Sequence, residues 1–355
     1  MQSIKYFNDV MEWNGEMKKT VLVTGGAGYI GSHTCVALHH AGYKVIILDN
    51  FCNSDRSVVT RLNQILGIKL LSYEGDVRDQ PLLSHLFSSH HIDAVIHFAA
   101  LKAVGDSVQK PLTYYDNNIG GIFSLLHEMK AASIYNLIFS SSATVYGNPK
   151  SLPLREDAIR SAMSPYGRSK LMIEDILEDL HHAEPDWNIA RLRYFNPVGA
   201  HESGLIGELP KDIPNNLMPY IQQVAHGLQP YLKVFGDDYN TSDGTGIRDY
   251  VHVMDLAEGH VTALHYFQNN KGLLTVNLGT GKGTSVFELI KTFEEVNHCH
   301  VPYRVVARRK GDVAACWADV EYAAQTLQWK AKRDVSDMCK DSWRFECNRN
   351  QFSKE

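Results

Sequence analysis

Short apolar runs alternate with longer amphipathic stretches through the first half of the 355-residue chain. Val21–Thr24, Val45–Asp49, Lys69–Tyr73, Ala94–Phe98, Leu137–Ser141 and Ile189–Tyr194 have the length and β-branched character of strands. The segments between them are long enough for helices. This alternation predicts βαβ units with right-handed crossovers, hence an α/β fold on a doubly wound parallel sheet. After about Phe195 the texture changes. The stretches "NPVGAHESGLIGELPKDIPNN" and "FGDDYNTSDGTG" are rich in Gly, Pro, Asn and Asp, and ordered loops of that length are usually functional. A first domain is therefore expected over residues 17–195. A smaller C-terminal lobe, residues 196–355, is expected to interleave with it and leave a cleft between them. Residues 1–16 are interrupted by acidic positions and lack an apolar core or cleavage site, so they read as a polar extension rather than a signal peptide.

Composition narrows the class. Apolar residues make up 44% and charged residues 21%, with a net charge of −5, which fits an ordinary soluble protein and points away from nucleic-acid or membrane surfaces. No apolar run reaches the roughly 20 residues of a spanning helix. The six cysteines, at 35, 52, 299, 316, 339 and 347, form no C-x-x-C pair, and reduced thiols in a cytoplasmic protein are expected. His298 and His300 in "HCH" lack further ligands nearby, so no metal site is expected and the segment reads as surface.

The first strand runs into "TGGAGYIGSH", where Gly25, Gly28 and Gly31 form G-x-x-G-x-x-G. Such spacing lets a chain turn sharply off a strand and bring bare backbone against a pyrophosphate at a helix N-terminus. Asp49 ends the next strand about 20 residues on, where a carboxylate can take both ribose hydroxyls of an adenosine. A 2′-phosphate would be repelled there, which favours NAD over NADP. Together these features make the sheet Rossmann-type. Asp76 in "EGDVRD" and the small residues of "HFAA" follow the third and fourth strands, where an adenine edge and the dinucleotide would lie. The loop "NLGTGKGTS" departs from the P-loop pattern, because Val276 stands where its first glycine belongs, and reads as a structural strand–turn–helix corner.

Chemistry is suggested by "SPYGRSK". Tyr166 and Lys170 are four apart and share a helical face. A phenol is protonated at neutral pH, and populating its phenolate there takes about 4 kcal/mol of differential stabilisation. One cation at about 6 Å, at an effective dielectric of about 20, supplies somewhat under 3 kcal/mol. Lys170 alone is thus insufficient, and the cation of an oxidised nicotinamide could add the remainder. Upstream, "FSSSATVYG" places Ser142 and Thr144 at the carboxyl end of the fifth strand, where doubly wound folds bind ligands.

The ordered set "TGGAGYIGSH", "LDNFCNS", "HFAALKAVGDSVQKP", "YYDNN", "SSSATVYG", "SPYGRSK", "RYFNPVGAH", "IPNNLMPY", "GTGIRDYVHVMDLA" and "GDVAACWAD" closely resembles the UDP-glucose 4-epimerase family of extended short-chain dehydrogenases/reductases, over about Lys18 to Trp343. The resemblance implies a tightly held NAD that is not consumed. It implies that Tyr166 takes the proton of the sugar 4-hydroxyl while hydride passes to the cofactor, that the 4-keto sugar turns over, and that hydride and proton return to its opposite face. Lys170 would hold the cofactor ribose, with Ser142 and Thr144 at the 4-oxygen. Around the cofactor it implies Gly25, Gly28, Tyr29, Ile30 and Gly31 at the pyrophosphate. Asp49, Asn50, Asn53, Ser54, Asp76 and Val77 would lie toward the adenosine. Phe98, Ala99, Ala100, Lys102, Asn117, Ser140, Tyr194 and Phe195 would line the remainder beside Tyr166 and Lys170. For a UDP-sugar it implies Arg248 and Arg309 on the diphosphate, Asn196 and Asn216 near sugar and diphosphate, Phe235 at the uridine and Cys316 at the sugar. A homodimer is implied, with "YYDNNIGGIFSLLHEMK" as a candidate partner surface.

Three other readings of the same residues stand beside this one. A nucleotide-sugar 4,6-dehydratase needs an acid–base carboxylate pair after the strand-five hydroxyl, where this chain has Ala143-Thr144-Val145. An ordinary NAD-dependent dehydrogenase would release its reduced cofactor. A cofactor-sensing protein without activity would be expected to lose Tyr166 or Lys170. In the resembled family the position of Cys316 is either bulky, often Tyr, or small. A cysteine frees about six heavy atoms relative to tyrosine in a close-packed wall, against about three added by an N-acetyl group. UDP-N-acetylglucosamine and UDP-N-acetylgalactosamine are therefore also expected as substrates.

Overall fold

Each of the six apolar runs becomes a strand, and all but the edge strand at Leu71–Glu74 are buried between layers of helices. The computed structural model describes residues 18–211, 214, 216–309 and 311–352, so the extension expected over residues 1–16 lies outside the described residues. In chain order the first half comprises β1 (Thr20–Thr24), α1 (Tyr29–His40), β2 (Lys44–Asp49), α2 (Ser57–Leu66), β3 (Leu71–Glu74), α3 (Gln80–Ser89) and β4 (Ala94–His97). It continues through α4 (Val104–Gln109), α5 (Pro111–Tyr115), α6 (Gly121–Ala131), β5 (Asn136–Ser142), α7 (Pro165–Ala183) and β6 (Asn188–Tyr194). The second half has β7 (Asn196–Val198), α8 (Leu217–Ala225), β8 (Leu232–Phe235), β9 (Ile247–Arg248), β10 (Tyr250–His252), α9 (Val253–Asn269) and β11 (Leu273–Leu278). The last elements are β12 (Thr284–Ser285), α10 (Val286–Asn297), β13 (Tyr303–Val306), β14 (Ala315–Cys316), α11 (Glu321–Thr326) and α12 (Val335–Phe352).

Seven strands form one parallel sheet in the order β3-β2-β1-β4-β5-β6-β11. Val21, Val23, Ile47, Ile96, Ile138 and Leu192 face one apolar layer with α1 and α9, and Leu22, Leu48, Val95, Leu137, Phe139 and Ile189 face the other with α3, α6 and α7. Burial on both sides is why these strands read as unbroken apolar runs. The order reverses between β1 and β4, which opens a crevice at the carboxyl ends of those strands. β3 starts at Leu71 rather than Lys69, because it is an edge strand whose pairing with β2 begins opposite Ile46. β11 and α9 come from the second half of the chain, yet β11 pairs with β6 and α9 packs on α1. The remaining C-terminal elements enclose a separate core of Met218, Ile221, Val234, Leu289, Phe293 and Met338.

The helix α7 starts where the sequence can start one. Ser164 Oγ accepts from the Gly167 amide at 3.1 Å, and Pro165 occupies the first turn. One turn beyond Lys170, Glu174 is fully buried and paired with Arg193 of β6, whose side chain is 3% exposed. Arg193 Nη2 and Nε reach its two oxygens at 2.7 and 2.9 Å, and Ser141 Oγ of β5 donates to it at 2.5 Å. These bonds hold the Glu174 carboxyl below its ordinary value against the opposing effect of burial. Removing one partner of a buried, bidentate pair leaves the other charge uncompensated. Glu174→Ala should therefore cost about 3–5 kcal/mol in urea unfolding. The double variant Glu174→Leu/Arg193→Met should recover most of that loss. A cost below about 1 kcal/mol in the single variant would show that the pair does not hold α7 to the sheet.

Candidate functional site

The crevice is lined first by the turn after β1. Gly25 has φ +70°, and a Cβ there would sit 2.8 Å from the Ala99 amide nitrogen in the loop after β4. A Cβ on Gly31 would lie 2.2 Å from the Gly25 carbonyl oxygen. Both glycines are thus required by backbone packed on backbone. Gly28 caps α1 without a side chain, so the first-turn amides of Tyr29, Ile30 and Gly31 have no side-chain acceptor from the cap. A narrow turn facing a bare helix N-terminus fits a pyrophosphate.

Asp49 closes β2 and is nearly buried. Its Oδ2 accepts from the Ala27 amide at 2.9 Å, and its Oδ1 accepts from the Phe51 amide at 2.9 Å and Ser54 Oγ at 2.8 Å. The carboxylate therefore stands at the lip of the glycine turn with its orientation fixed. Asn53 is exposed on the same loop. Asn50 Nδ2 donates to Asp76 Oδ2 at 3.0 Å. Arg78 bonds both oxygens of Asp76 at 2.9 Å and pulls its carboxyl down to about 2. No motif in the sequence singles out Arg78. The Val77 side chain belongs to the core against α6. Phe98, Ala99 and Ala100 follow β4, with the Phe98 ring 4.8 Å from that of His260. Asn117 sits in a π turn, Asp116–Gly120, and donates to Asn118 Oδ1 at 3.0 Å. Asn118, likewise not singled out by the sequence, is buried and ties Leu101, next to Lys102, to Ser169 of α7.

The hydroxyls of β5 meet α7. Thr144 Oγ1 donates to Ser142 Oγ at 3.0 Å, and Ser142 acts on the half-buried Tyr166 phenol, favouring its phenolate. Lys170 is 2% exposed, donates to the Ser140 carbonyl at 2.7 Å and lies 6.0 Å from the Tyr166 ring centroid. Burial pushes the Lys170 ammonium down to about 7, with the Glu174 charge acting the other way. Burial also raises the Tyr166 phenol, and the group that lowers it is Ser142. This differs from the expectation that Lys170 would lower it: a buried lysine is itself partly neutral at pH 7. Tyr194 and Phe195 are buried at the end of β6. The Tyr194 hydroxyl is spent on His260 Nε2, and the Phe195 amide donates to the Leu278 carbonyl at 3.3 Å.

In the second lobe Arg248 of β9 and Cys316 of β14 are partners in parallel register, and the amide of Asp249 donates to the Cys316 carbonyl at 3.0 Å. The Asn196 amide donates to the Asp249 carbonyl at 2.9 Å, so Asn196, Arg248 and Cys316 are brought together. The hinge of this cluster is Asp249, which the sequence did not single out. Its buried carboxylate accepts from the Thr280, Gly281 and Ala318 amides. The glycine turn of "NLGTGKGTS" thus closes on a carboxylate of the chain itself. Phe235 and Arg309 form a separate pair, the guanidinium 4.4 Å over the ring, with Arg309 also bonded to Asp312 at 3.1 Å. Asn216 caps α8 and donates to Glu208 at 2.6 Å. His298 ends α10 in a left-handed conformation and His300 bonds Glu294, and no group of three or more metal-ligating side chains occurs among the described residues.

Residues 22–342 match the family model described as GDP-mannose 4,6 dehydratase. The chain is 54% identical over 329 residues to UDP-glucose 4-epimerase of Haemophilus influenzae, covering 92% of this chain and 97% of that one. It is 54% identical over 326 residues to the Bacillus subtilis enzyme of the same name, covering 92% and 96%. Its structure matches that of the Stenotrophomonas maltophila enzyme with bound NAD and formylated UDP-arabinopyranose at a TM-score of 0.93, with 53% identity over 94% of this chain and 99% of that one. The Bifidobacterium longum enzyme in complex with NAD+ and UDP matches at 0.90, with 50% identity and the same coverage. By sequence over nearly its whole length and by fold, the chain belongs to the UDP-glucose 4-epimerase family of extended short-chain dehydrogenases/reductases.

Proposed function

We propose that this protein interconverts UDP-glucose and UDP-galactose by inverting C4 of the sugar, using NAD that stays bound. One observation carries the reading: the Thr144–Ser142 hydroxyl pair at the end of β5 and Tyr166 of α7 stand together beside buried Lys170, in the sheet whose glycine turn fits a dinucleotide. When bound, NAD supplies the acceptor and later the donor of the C4 hydride, and its oxidised ring adds a positive charge near Tyr166. Tyr166 Oη takes the proton of the 4-hydroxyl and returns it. Ser142 accepts from Thr144, which leaves its own hydrogen free for Tyr166 or the sugar 4-oxygen. Lys170, held by the Ser140 carbonyl, positions the cofactor ribose. Gly25, Gly28 and the α1 first turn hold the pyrophosphate, and Asp49 the adenosine ribose. Arg248, Arg309, Asn196 and Asn216 hold the UDP-sugar with Phe235 at the base, and Cys316 borders the sugar. Elimination to a 4,6-dehydratase product is disfavoured, because the turn Ala143–Tyr146 offers no carboxylate.

Val108, Leu112 and Phe123 of α4–α6 and Met172 of α7 are apolar and exposed, which supports these helices as a homodimer face. All six cysteines are free thiols, which supports a reducing compartment, the cytoplasm. No helix among the described residues is long and apolar enough to cross a membrane.

Three outcomes are expected. Purified protein given UDP-galactose should form UDP-glucose, and Tyr166→Phe should lose about 10²–10⁴-fold in kcat while keeping its bound dinucleotide. Near-normal turnover in that variant would remove Tyr166 from the proton path. Acid extraction should release NAD, since Asp49 would oppose a 2′-phosphate, and recovery of mainly NADP would contradict its placement. The pocket beside Cys316 should also admit UDP-N-acetylglucosamine and UDP-N-acetylgalactosamine. Comparison of kcat/KM should show Cys316→Tyr losing the N-acetylated pair selectively, whereas equal losses on both pairs would refute Cys316 as the limiting wall.

A further inference from the structure

Glu208 and Lys211 lie in the long loop that the sequence marks as rich in Gly, Pro, Asn and Asp, and both side chains make ties that the proposed chemistry does not use. The Glu208 side chain is 13% exposed and 3.7 Å from Lys102 Nζ in the loop after β4. The same Glu208 oxygen accepts from Asn216 Nδ2 at 2.6 Å. Burial first, then the Glu208 charge, pushes the Tyr29 phenol up, which sets this carboxylate near the first turn of α1. Three residues on, Lys211 Nζ donates to the Phe51 carbonyl at 2.6 Å.

Phe51 is itself unusual. It has φ 55°, in the left-handed region that bulky side chains rarely adopt. Such a conformation persists where its surroundings over-determine it. Here the Phe51 amide is held by Asp49 Oδ1 and its carbonyl by Lys211. Asp49 is the residue assigned to the adenosine ribose, and Lys102 stands at the other flank of the glycine turn. One short segment of the second lobe thus grips both loops that border the dinucleotide cradle. Through Asn216 it also reaches a residue assigned to the diphosphate.

We propose that Glu208 and Lys211 are positioning residues that couple the two sites, so that a nucleoside diphosphate in the second lobe slows escape of the dinucleotide from the first. The proposal rests on the site assignments of the proposed function. Its physics is a shared conformation. A diphosphate that engages Asn216 acts on Glu208 through their direct bond, and so on the Glu208–Lys211 stretch in which Glu208 faces Lys102 and Lys211 faces Phe51. A dinucleotide held between those same loops favours the same arrangement. Each ligand then favours the other, and the coupling is reciprocal. An enzyme whose cofactor is restored within each turnover benefits from retention that is strongest while a sugar nucleotide is bound.

The test uses the holoenzyme. Release of the bound dinucleotide is followed by absorbance with an excess of a second, NAD-consuming dehydrogenase and its alcohol as a sink, with and without UDP. In the unmodified protein UDP should slow release by about tenfold, within the usual range of such couplings. Lys211→Met should speed release about fivefold, the worth of one hydrogen bond from a charged donor that is partly solvated. In Lys211→Met and in Glu208→Gln the UDP effect should fall below about twofold, because each loses one tie. Lys211→Arg, which keeps a cationic donor, should retain the UDP effect. A purely structural role would alter melting without altering this ratio. If Glu208→Gln fails to fold, exposed Lys211 still decides the matter. An equal UDP effect in the unmodified protein and in Lys211→Met overturns the coupling. So does an unmodified protein that converts UDP-galactose but shows no UDP effect, whereas absence of both turnover and UDP effect overturns the function and the coupling together.

Discussion

The buried pair Glu174–Arg193 is the constraint on which the site depends. It joins three elements that each bring part of the chemistry: α7 with Tyr166 and Lys170, β5 with Ser142, and β6. Arg193 also reaches the Tyr146 hydroxyl at 2.8 Å, and Tyr146 donates to Asn277 of β11 at 2.7 Å. The network therefore runs under the ends of three neighbouring strands. A charge pair at this depth is a poor source of net stability. Its value lies in geometry, because a fork-shaped guanidinium on a two-oxygen acceptor fixes α7 in both position and rotation. The 6.0 Å between the Lys170 ammonium and the Tyr166 ring comes from their spacing on α7 itself, and the Glu174–Arg193 pair decides where that face meets β5.

Electrostatics in the crevice is a contest between burial and charge, and burial wins at both reactive groups. The Tyr166 phenol goes up and the Lys170 ammonium goes down to about 7. Both shifts favour neutral groups. A proton on Tyr166 is then reluctant to leave until further positive charge arrives, and Glu174 one turn below opposes the loss of charge at Lys170. Such a site is set to act when the crevice is filled.

Much of this was legible in the sequence. The six strand runs, the glycine spacing and Asp49 needed only local rules, because each is a backbone requirement written in residue type: no side chain fits at Gly25 or Gly31. Tyr166 and Lys170 were legible through helical spacing. What stayed hidden depends on partners distant in the chain. Glu174 looks like any helix glutamate until β6 places Arg193 against it. Asp249 reads as a loop acid, although it organises Asn196, Cys316 and the turn at Thr280. Arg78 redirects Asp76, and no periodicity announces that. The strand that enters "NLGTGKGTS" was legible as part of a strand–turn–helix corner, but its place as the seventh strand of the sheet was not, because that depends on pairing with β6, far away in the chain.

The central claim is that the hydrogen on C4 leaves and returns to the same carbon from the opposite side, with Tyr166 moving only the hydroxyl proton. UDP-galactose deuterated at C4, turned over by the purified protein in ordinary water, tests this most directly by mass spectrometry of the product. UDP-glucose that retains its deuterium at C4 is the expected product. Product formed with the label lost to solvent would contradict the claim.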